Sequence, residues 1–117
     1  NSGVQFRSVV IPHGEMRGYQ FDMGIPWWGQ VYVESSLRGI LVPVEHRMKR
    51  VSIIHPDGWN DFVIICKGDH LIGVLNGHVT YDLWDYYAEK TGQIGLQIHN
   101  GAPMTVEFKN LEIKKLH

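Results

Sequence analysis

The sequence predicts an all-β protein, and three observations carry that prediction. Between residues 59 and 83, β-branched and aromatic residues fill three runs, at 59–67, 71–76 and 78–83, separated by short turns. The turn at Asn76-Gly77 supplies the positive φ angles that a two-residue type I′ hairpin requires. Much of the remaining chain alternates apolar and polar residues with the period of a strand. The three runs therefore read as two hairpins in series within an antiparallel sheet.

The other strands follow from the same alternation. Five further strands are predicted, at 4–10, 18–24, 28–35, 93–99 and 105–115. A short strand is expected at 38–42, and an edge strand at 49–54. In the last strand Val106 and Phe108 should face inward, followed by Leu111 and Ile113, with a bulge near Asn110 at the change of parity. No linker, repeat or long amphipathic helix interrupts the pattern, so residues 1–117 read as part of one domain.

Composition excludes several classes of function. The formal net charge is −1, and the lysines and arginines form no basic stripe, which argues against a nucleic-acid partner. No apolar run approaches the length of a membrane-spanning helix. The single Cys66 shares its strand parity with Phe62 and Ile64, so it is expected to be a buried apolar side chain. No closely spaced histidine motif indicates zinc, and the sequence has no phosphate-binding glycine loop.

The polar faces of the predicted strands hold the functional information. Amides, carboxylates, a phenol and an imidazole recur at the positions opposite the apolar face, where a merely hydrated sheet usually shows Thr, Lys, Glu and Ser. These groups bind sugar hydroxyls and transfer protons. The alternative is an ordinary hydrated surface, because only the whole set is unusual. The set comprises Gln5, Arg7, Gln20, Asp22, Gln30, Tyr32, Glu34, Gln97 and His99.

The ordered segments of the chain resemble the bacterial family named for 3-keto-disaccharide hydrolase activity. Each segment alone is a weak signal, but their order and spacing hold along the whole chain. The matching segments are Asn1-Ser2-Gly3-Val4-Gln5-Phe6-Arg7, Gly18-Tyr19-Gln20-Phe21-Asp22, Trp28-Gly29-Gln30-Val31-Tyr32-Val33-Glu34 with Arg38-Gly39, Gly58-Trp59-Asn60-Asp61-Phe62, Leu75-Asn76-Gly77, Gly92 to Gly101, and Val106 to Ile113.

The resemblance implies a concanavalin A-like jelly-roll sandwich in a secreted or periplasmic bacterial protein that acts on sugars. Members of the family carry additional strands before the Asn-Ser-Gly segment, so this chain resembles the C-terminal part of such a domain. We therefore expect exposed apolar surface or an unpaired sheet edge. We also expect that a second chain or a further segment completes the sandwich.

Three residues are the candidates for catalysis. Glu34, Asp22 and His99 can act as general acid or base, and His99 lies on the family-like Leu-Gln-x-His segment. The two carboxylates are also candidate ligands of a divalent metal ion. Simpler roles remain open for all three: His99 can be a plain surface residue, and either carboxylate can pair with Arg7 or Arg38.

The candidates for substrate binding surround these residues. Amide, phenol and guanidinium groups would hold sugar hydroxyls, and Trp28 or its neighbour Trp27 could stack on a sugar ring, although burial in the core is the commoner fate of Trp. The predicted binding residues are Arg7, Gln20, Tyr32, Arg38, Gln97 and Trp28.

The function predicted from these residues and the resemblance is hydrolysis of a 3-keto-glycoside. The C3 ketone acidifies the C2 hydrogen, so a base removes that proton, an acid protonates the leaving oxygen and water adds to the enone. A divalent cation on the ketone would stabilise the enolate. A carbohydrate-binding module without catalysis is the main alternative, and an adhesion or interaction module is a third, because one fold serves many functions.

Overall fold

The structure is a computed structural model that describes residues 2–24, 27–34, 36, 38–42, 52–87, 89–98 and 105–116. Within these residues it contains eight strands and one short 3-10 turn at Pro12–Gly14. The strands are β1 Ser2–Val10, β2 Met16–Met23, β3 Val31–Glu34, β4 Gly39–Ile40, β5 Phe62–Lys67, β6 His70–Leu75, β7 His78–Trp84 and β8 Gln93–Ile98.

The strands form two antiparallel sheets. A five-stranded sheet has the order β4-β3-β2-β1-β8, and a three-stranded sheet has the order β5-β6-β7. β1 therefore lies between its sequence neighbour β2 and the distant β8. The predicted all-β class is confirmed, and the two sheets form a sandwich consistent with a jelly roll.

Aromatic residues join the two sheets. Phe21 of β2 is fully buried and stacks on Phe62 of β5, with ring centroids 4.3 Å apart. Tyr81 of β7 meets the same Phe21 edge-on at 5.2 Å. Trp28 is half-buried and packs edge-on against Phe62 at 6.1 Å. The core thus lies between the sheets, and Trp28 belongs to its margin.

The predicted hairpins form as the turn chemistry requires. Asn76 and Gly77 adopt φ angles of 50° and 80°, as expected for a type I′ turn, and Gly68 turns the preceding hairpin at φ 58°. On the inner side of these strands, Cys66 is half-buried against the core. Its burial raises the pKa of the thiol.

The predicted closing strand at 105–115 is wrong. The described residues 105–116 contain no strand. Leu111 and Ile113, which were predicted to face inward, are 69% and 82% exposed. Asn110 does adopt a positive φ of 54°, but no ladder surrounds it. An alternating segment becomes a strand only where a neighbouring edge accepts its backbone hydrogen bonds, and none of the described strands pairs with this one.

Two other strand predictions differ from the structure. The edge strand expected at 49–54 is not formed by its described part, 52–54, and residues 49–51 lie outside the described residues. The strand expected at 28–35 begins only at Val31, because the Gln30 N–H donates to the Trp27 carbonyl oxygen at 3.1 Å and closes a turn there. That turn brings Gln30 back beside β2.

A bulge in β1 interrupts the alternation. The register between β1 and β2 shifts between Phe6 and Val9, and Arg7 within this interval has a φ of 47°. Bulges redirect side chains and increase local twist. Arg7 consequently departs from the face that strict alternation assigned to it.

Candidate functional site

A polar cluster covers the face of the five-stranded sheet that lies opposite the aromatic core. Cross-strand pairing places Gln5 beside Gln20, and Gln20 beside Tyr32. Gly3 of β1 pairs with Asp22 on one side and with Gln97 on the other. The alternate positions of these strands, including Phe21 and Val31, face the core.

Asp22 accepts hydrogen bonds from two amide side chains. Gln20 Nε2 donates to Asp22 Oδ1 at 2.6 Å, and Gln30 Nε2 donates to Asp22 Oδ2 at 2.7 Å. Gln20 Nε2 also donates to Gln97 Oε1 at 2.6 Å, which extends the network to β8. Backbone bonds between Asp22 and the 29–30 segment hold Gln30 in position. The network therefore joins two strands, β2 and β8, and the turn that carries Gln30.

Gly3 provides the space in which Gln20 lies. A Cβ atom at Gly3 would come within 2.9 Å of Gln20 Cγ and 2.8 Å of the Phe21 carbonyl oxygen. Both distances are shorter than side-chain carbons tolerate, so the cluster requires glycine here for close approach.

The cluster is shielded from water. Gln20 and Asp22 are each 1% exposed, and Gln5 and Gln30 are nearly as buried. Burial is the main cause that raises the pKa of Asp22 to about 6, and the negative charge of Glu34 also raises it. The hydrogen bonds from Gln30 and Gln20 lower this pKa but do not outweigh burial. A carboxyl group with such a pKa exchanges its proton near neutral pH, as a general acid or base must.

Two acceptor atoms of the cluster have no hydrogen-bond partner among the described residues. They are Gln20 Oε1 and Gln30 Oε1, both buried. An unsatisfied buried amide oxygen is costly and needs an explanation. Beside a carboxylate, two such acceptors suit the hydroxyl groups of a sugar.

The remaining catalytic candidates are placed less fully. Tyr32 and Glu34 of β3 alternate with the buried Val31 and Val33, so both lie on the polar face of the sheet. Both side chains are half-buried. His99 lies outside the described residues. Whether it joins Asp22 and Glu34 stays a prediction.

Arg7 and Arg38, two of the predicted substrate-binding residues, do not join this face. For Arg7 this contradicts the expectation that it lines one concave surface with Gln20, Asp22, Tyr32, Glu34, Gln97 and His99. Arg7 Nη1 donates to the Gly68 carbonyl oxygen at 2.6 Å, at the turn of the opposite sheet. Arg38 Nη2 binds Asp85 Oδ1 at 2.6 Å. Neither arginine pairs with Asp22, because the bulge at Arg7 and the loop carrying Arg38 direct them to the side on which the core lies.

Asp85 anchors this second polar group, and no sequence pattern pointed to Asp85. Its Oδ2 accepts the Tyr19 hydroxyl at 2.6 Å, and its Oδ1 accepts the Tyr87 N–H at 3.2 Å as well as the Arg38 bond. Burial alone would raise the pKa of Asp85, but the Arg38 and Tyr19 bonds outweigh it and the pKa is lowered. Burial and the Asp85 bond raise the pKa of Tyr19 far above its usual value. Asp85 lies directly after the end of β7, outside the strand, where alternation carries no information.

Among the described residues, no cluster of three or more candidate metal-binding side chains is present. No three His, Cys, Asp or Glu side chains within that part of the chain come close enough to share an ion. Both oxygens of Asp22 accept from amide N–H groups, an arrangement that does not suit a cation. The divalent ion expected from the sequence stays a prediction, and no step below depends on it.

The fold is a β-sandwich, and a comparison with protein families shows that the domain is carbohydrate-related. Comparison with protein families matches residues 1–114 to the 3-keto-alpha-glucoside-1,2-lyase-like domain. The match covers nearly the whole chain, so the chain belongs to this family. Comparison with curated proteins gave no match. No helix in the described part of the chain has the length and apolar character needed to cross a membrane.

Proposed function

We propose that this domain cleaves 3-keto-α-glucosides by 1,2-elimination, and that hydration of the enone product makes the net reaction a hydrolysis. The buried Asp22, with its raised pKa and its neighbouring unsatisfied amide oxygens, is the observation that supports this function best. The family match supports the substrate class.

Asp22 acts as the base in this proposal. Its carboxylate takes the C2 proton, and the C2–H electron pair forms the enolate with the C3 carbonyl. The enolate then collapses: C3=O re-forms, C1=C2 forms and the C1–O bond breaks. The leaving oxygen takes a proton from an acid, for which Glu34 and His99 are the proposed donors. Addition of water across C1=C2 then gives the free 3-keto sugar.

The amides position the substrate. Gln20 Oε1 and Gln30 Oε1 accept hydroxyl protons, and Gln97 and Tyr32 extend the binding surface. Gln20 and Asp22 are almost completely shielded, so the sugar reaches them only after the atoms that cover them move aside. We further propose that a secreted or periplasmic bacterial protein carries this domain.

The test uses p-nitrophenyl 3-keto-α-glucoside, with nitrophenol release and enone absorbance measured together. Asp22→Asn should lower kcat by about 10²-fold or more, as removal of an acid–base group does. Asp57→Asn, the same change at an exposed turn carboxylate, should leave kcat unchanged. Glu34→Gln and His99→Ala should also lower kcat, whereas Gln97→Ala should mainly raise KM.

A different pattern would favour the binding module. If the protein binds the 3-keto-glucoside saturably without releasing nitrophenol, and Asp22→Asn weakens only that affinity, the domain is a lectin-like module. The unsatisfied oxygens of Gln20 and Gln30 would serve hydroxyl binding equally well in that case.

A further inference from the structure

A cavity of about 150 Å³ lies on the opposite side of the five-stranded sheet from the Asp22 cluster. Its floor is formed by Tyr19 and Val33, which face the core side of β2 and β3. Three arginines occupy its wall. They are Arg7, Arg17 and Arg38, and Ser36 and Glu89 also line the cavity.

The three arginines differ in how they are bonded. Arg7 donates from Nη1 to the carbonyl oxygens of Gly68 and Glu89, at 2.6 and 3.4 Å. Arg38 donates from Nη2 to the Asp85 carboxylate. Arg17 is exposed, and its guanidinium makes no hydrogen bond or ion pair with another residue of the described ranges. Each guanidinium has five N–H donors, so donors remain on all three.

The charge of this cavity is positive. Its wall carries three guanidinium groups and the single carboxylate of Glu89, with Asp85 beneath. Both carboxylate oxygens of Asp85 already accept hydrogen bonds and the residue is only 5% exposed, so Asp85 has little capacity to bind another cation. The Ser36 Oγ accepts the Arg38 N–H at 3.1 Å, which leaves the Ser36 O–H to donate to a ligand.

The backbone of Arg7 supports a specific role for this wall. A non-glycine residue at φ 47° is held in an unfavourable conformation, and such residues concentrate at functional sites. The bulge at Arg7 is the feature that turns its guanidinium from the Asp22 face toward the cavity.

We infer that the cavity is a binding site for a small oxyanion, the carboxylate or phosphate group of a small molecule. Guanidinium groups bind both anions through paired N–H donors. The volume suits such a group and is below the range of drug-sized ligand pockets. The site is independent of the proposed 3-keto-glucoside chemistry, because the sheet separates the two.

The test is calorimetric titration of the protein with inorganic phosphate and, separately, with acetate, at low ionic strength. At least one anion should bind saturably with one site per chain, and the stronger of the two identifies the ligand class. Arg17→Gln should weaken that binding at least tenfold. Lys114→Gln, the same charge change at an exposed residue outside the cavity, should leave it unchanged.

The variants also distinguish a specific anion-binding site from nonspecific electrostatic attraction. Arg17→Lys keeps the charge but loses the planar fork, so it should bind with intermediate affinity. Urea unfolding of each variant checks that the fold is retained, which the exposure of Arg17 favours. Absence of saturable binding by both anions, or equal weakening by Arg17→Gln and Lys114→Gln, would overturn the inference.

Discussion

Asp22 is the residue whose surroundings differ most from those of an ordinary surface aspartate. It is held by two amide donors, excluded from water and near the negative Glu34. Desolvation dominates the balance, so the folded protein retains the proton of Asp22 at pH values where the unfolded chain has released it. The ionisation of Asp22 therefore links the stability of the fold to pH.

The pH dependence of stability tests this link. The pKa of Asp22 is about 6 in the folded protein, against an ordinary value of 3.8 for an aspartate carboxyl group. The stability that this raised pKa contributes is therefore fully present below pH 3.8 and is lost as the pH rises through 6. The free energy of unfolding should fall over this window by about 2–3 kcal/mol relative to Asp22→Asn. Urea unfolding between pH 4 and pH 7 measures it. Asp57→Asn should keep the wild-type slope, and identical slopes in all three proteins would contradict the assignment.

Gly3 allows a second test at the same scale. Gly3→Ala forces a Cβ atom against Gln20 Cγ and the Phe21 carbonyl oxygen. The expected cost is about 1–3 kcal/mol of unfolding free energy, typical of overpacking. Gly58→Ala is the matched control, because its Cβ would meet His55 only at an ordinary 3.5 Å. Equal stability of the two variants would show that Gln20 does not lie over Gly3.

At the scale of elements, alternation and turn chemistry were sufficient for the strands whose partners lie close in the sequence. β5 to β7 were predictable because Gly68 and Asn76-Gly77 fix the turns and each strand pairs with the next. The segment 105–116 was not predictable in this way, because strand formation depends on a partner edge that alternation does not reveal.

The same limit applies to the candidate site. The alternation of side chains along each strand correctly placed Gln20, Asp22 and Gln97 on one face. It failed for Arg7, because a bulge shifts the alternation there and the sequence around Arg7 shows no bulge signal. Asp85 lies outside the strands, directly after β7, so only its tertiary contacts with Tyr19 and Arg38 reveal its role.

Hydrogen exchange tests the correction to the closing strand. Backbone amides in 105–116 should exchange orders of magnitude faster than those of β1 and β2, since no ladder protects them. Peptide-resolved exchange followed by mass spectrometry gives the comparison, with β6 peptides as the protected internal reference. Protection of 105–115 equal to that of β6 would restore the predicted strand.

At the scale of the whole molecule, stability depends on how firmly the two sheets are joined. Phe21 comes from the five-stranded sheet, whereas Phe62 and Tyr81 come from the three-stranded sheet, so their contact spans the sandwich. Apolar area buried between sheets is the main stabilising contribution in such a fold, and stacked aromatic pairs add to it.

A double-mutant cycle measures that coupling. Phe21→Leu and Phe62→Leu should each destabilise the protein by about 1–3 kcal/mol. Their interaction energy should be about 0.5–1.5 kcal/mol, because each substitution removes the same ring stack. The control cycle pairs Phe21→Leu with Val63→Ala, since Val63 neighbours Phe62 on the outer face of β5 and is 48% exposed. Its interaction energy should be near zero. If the Phe21–Phe62 cycle is also additive, the rings do not stack in solution and the two sheets are not packed through Phe21.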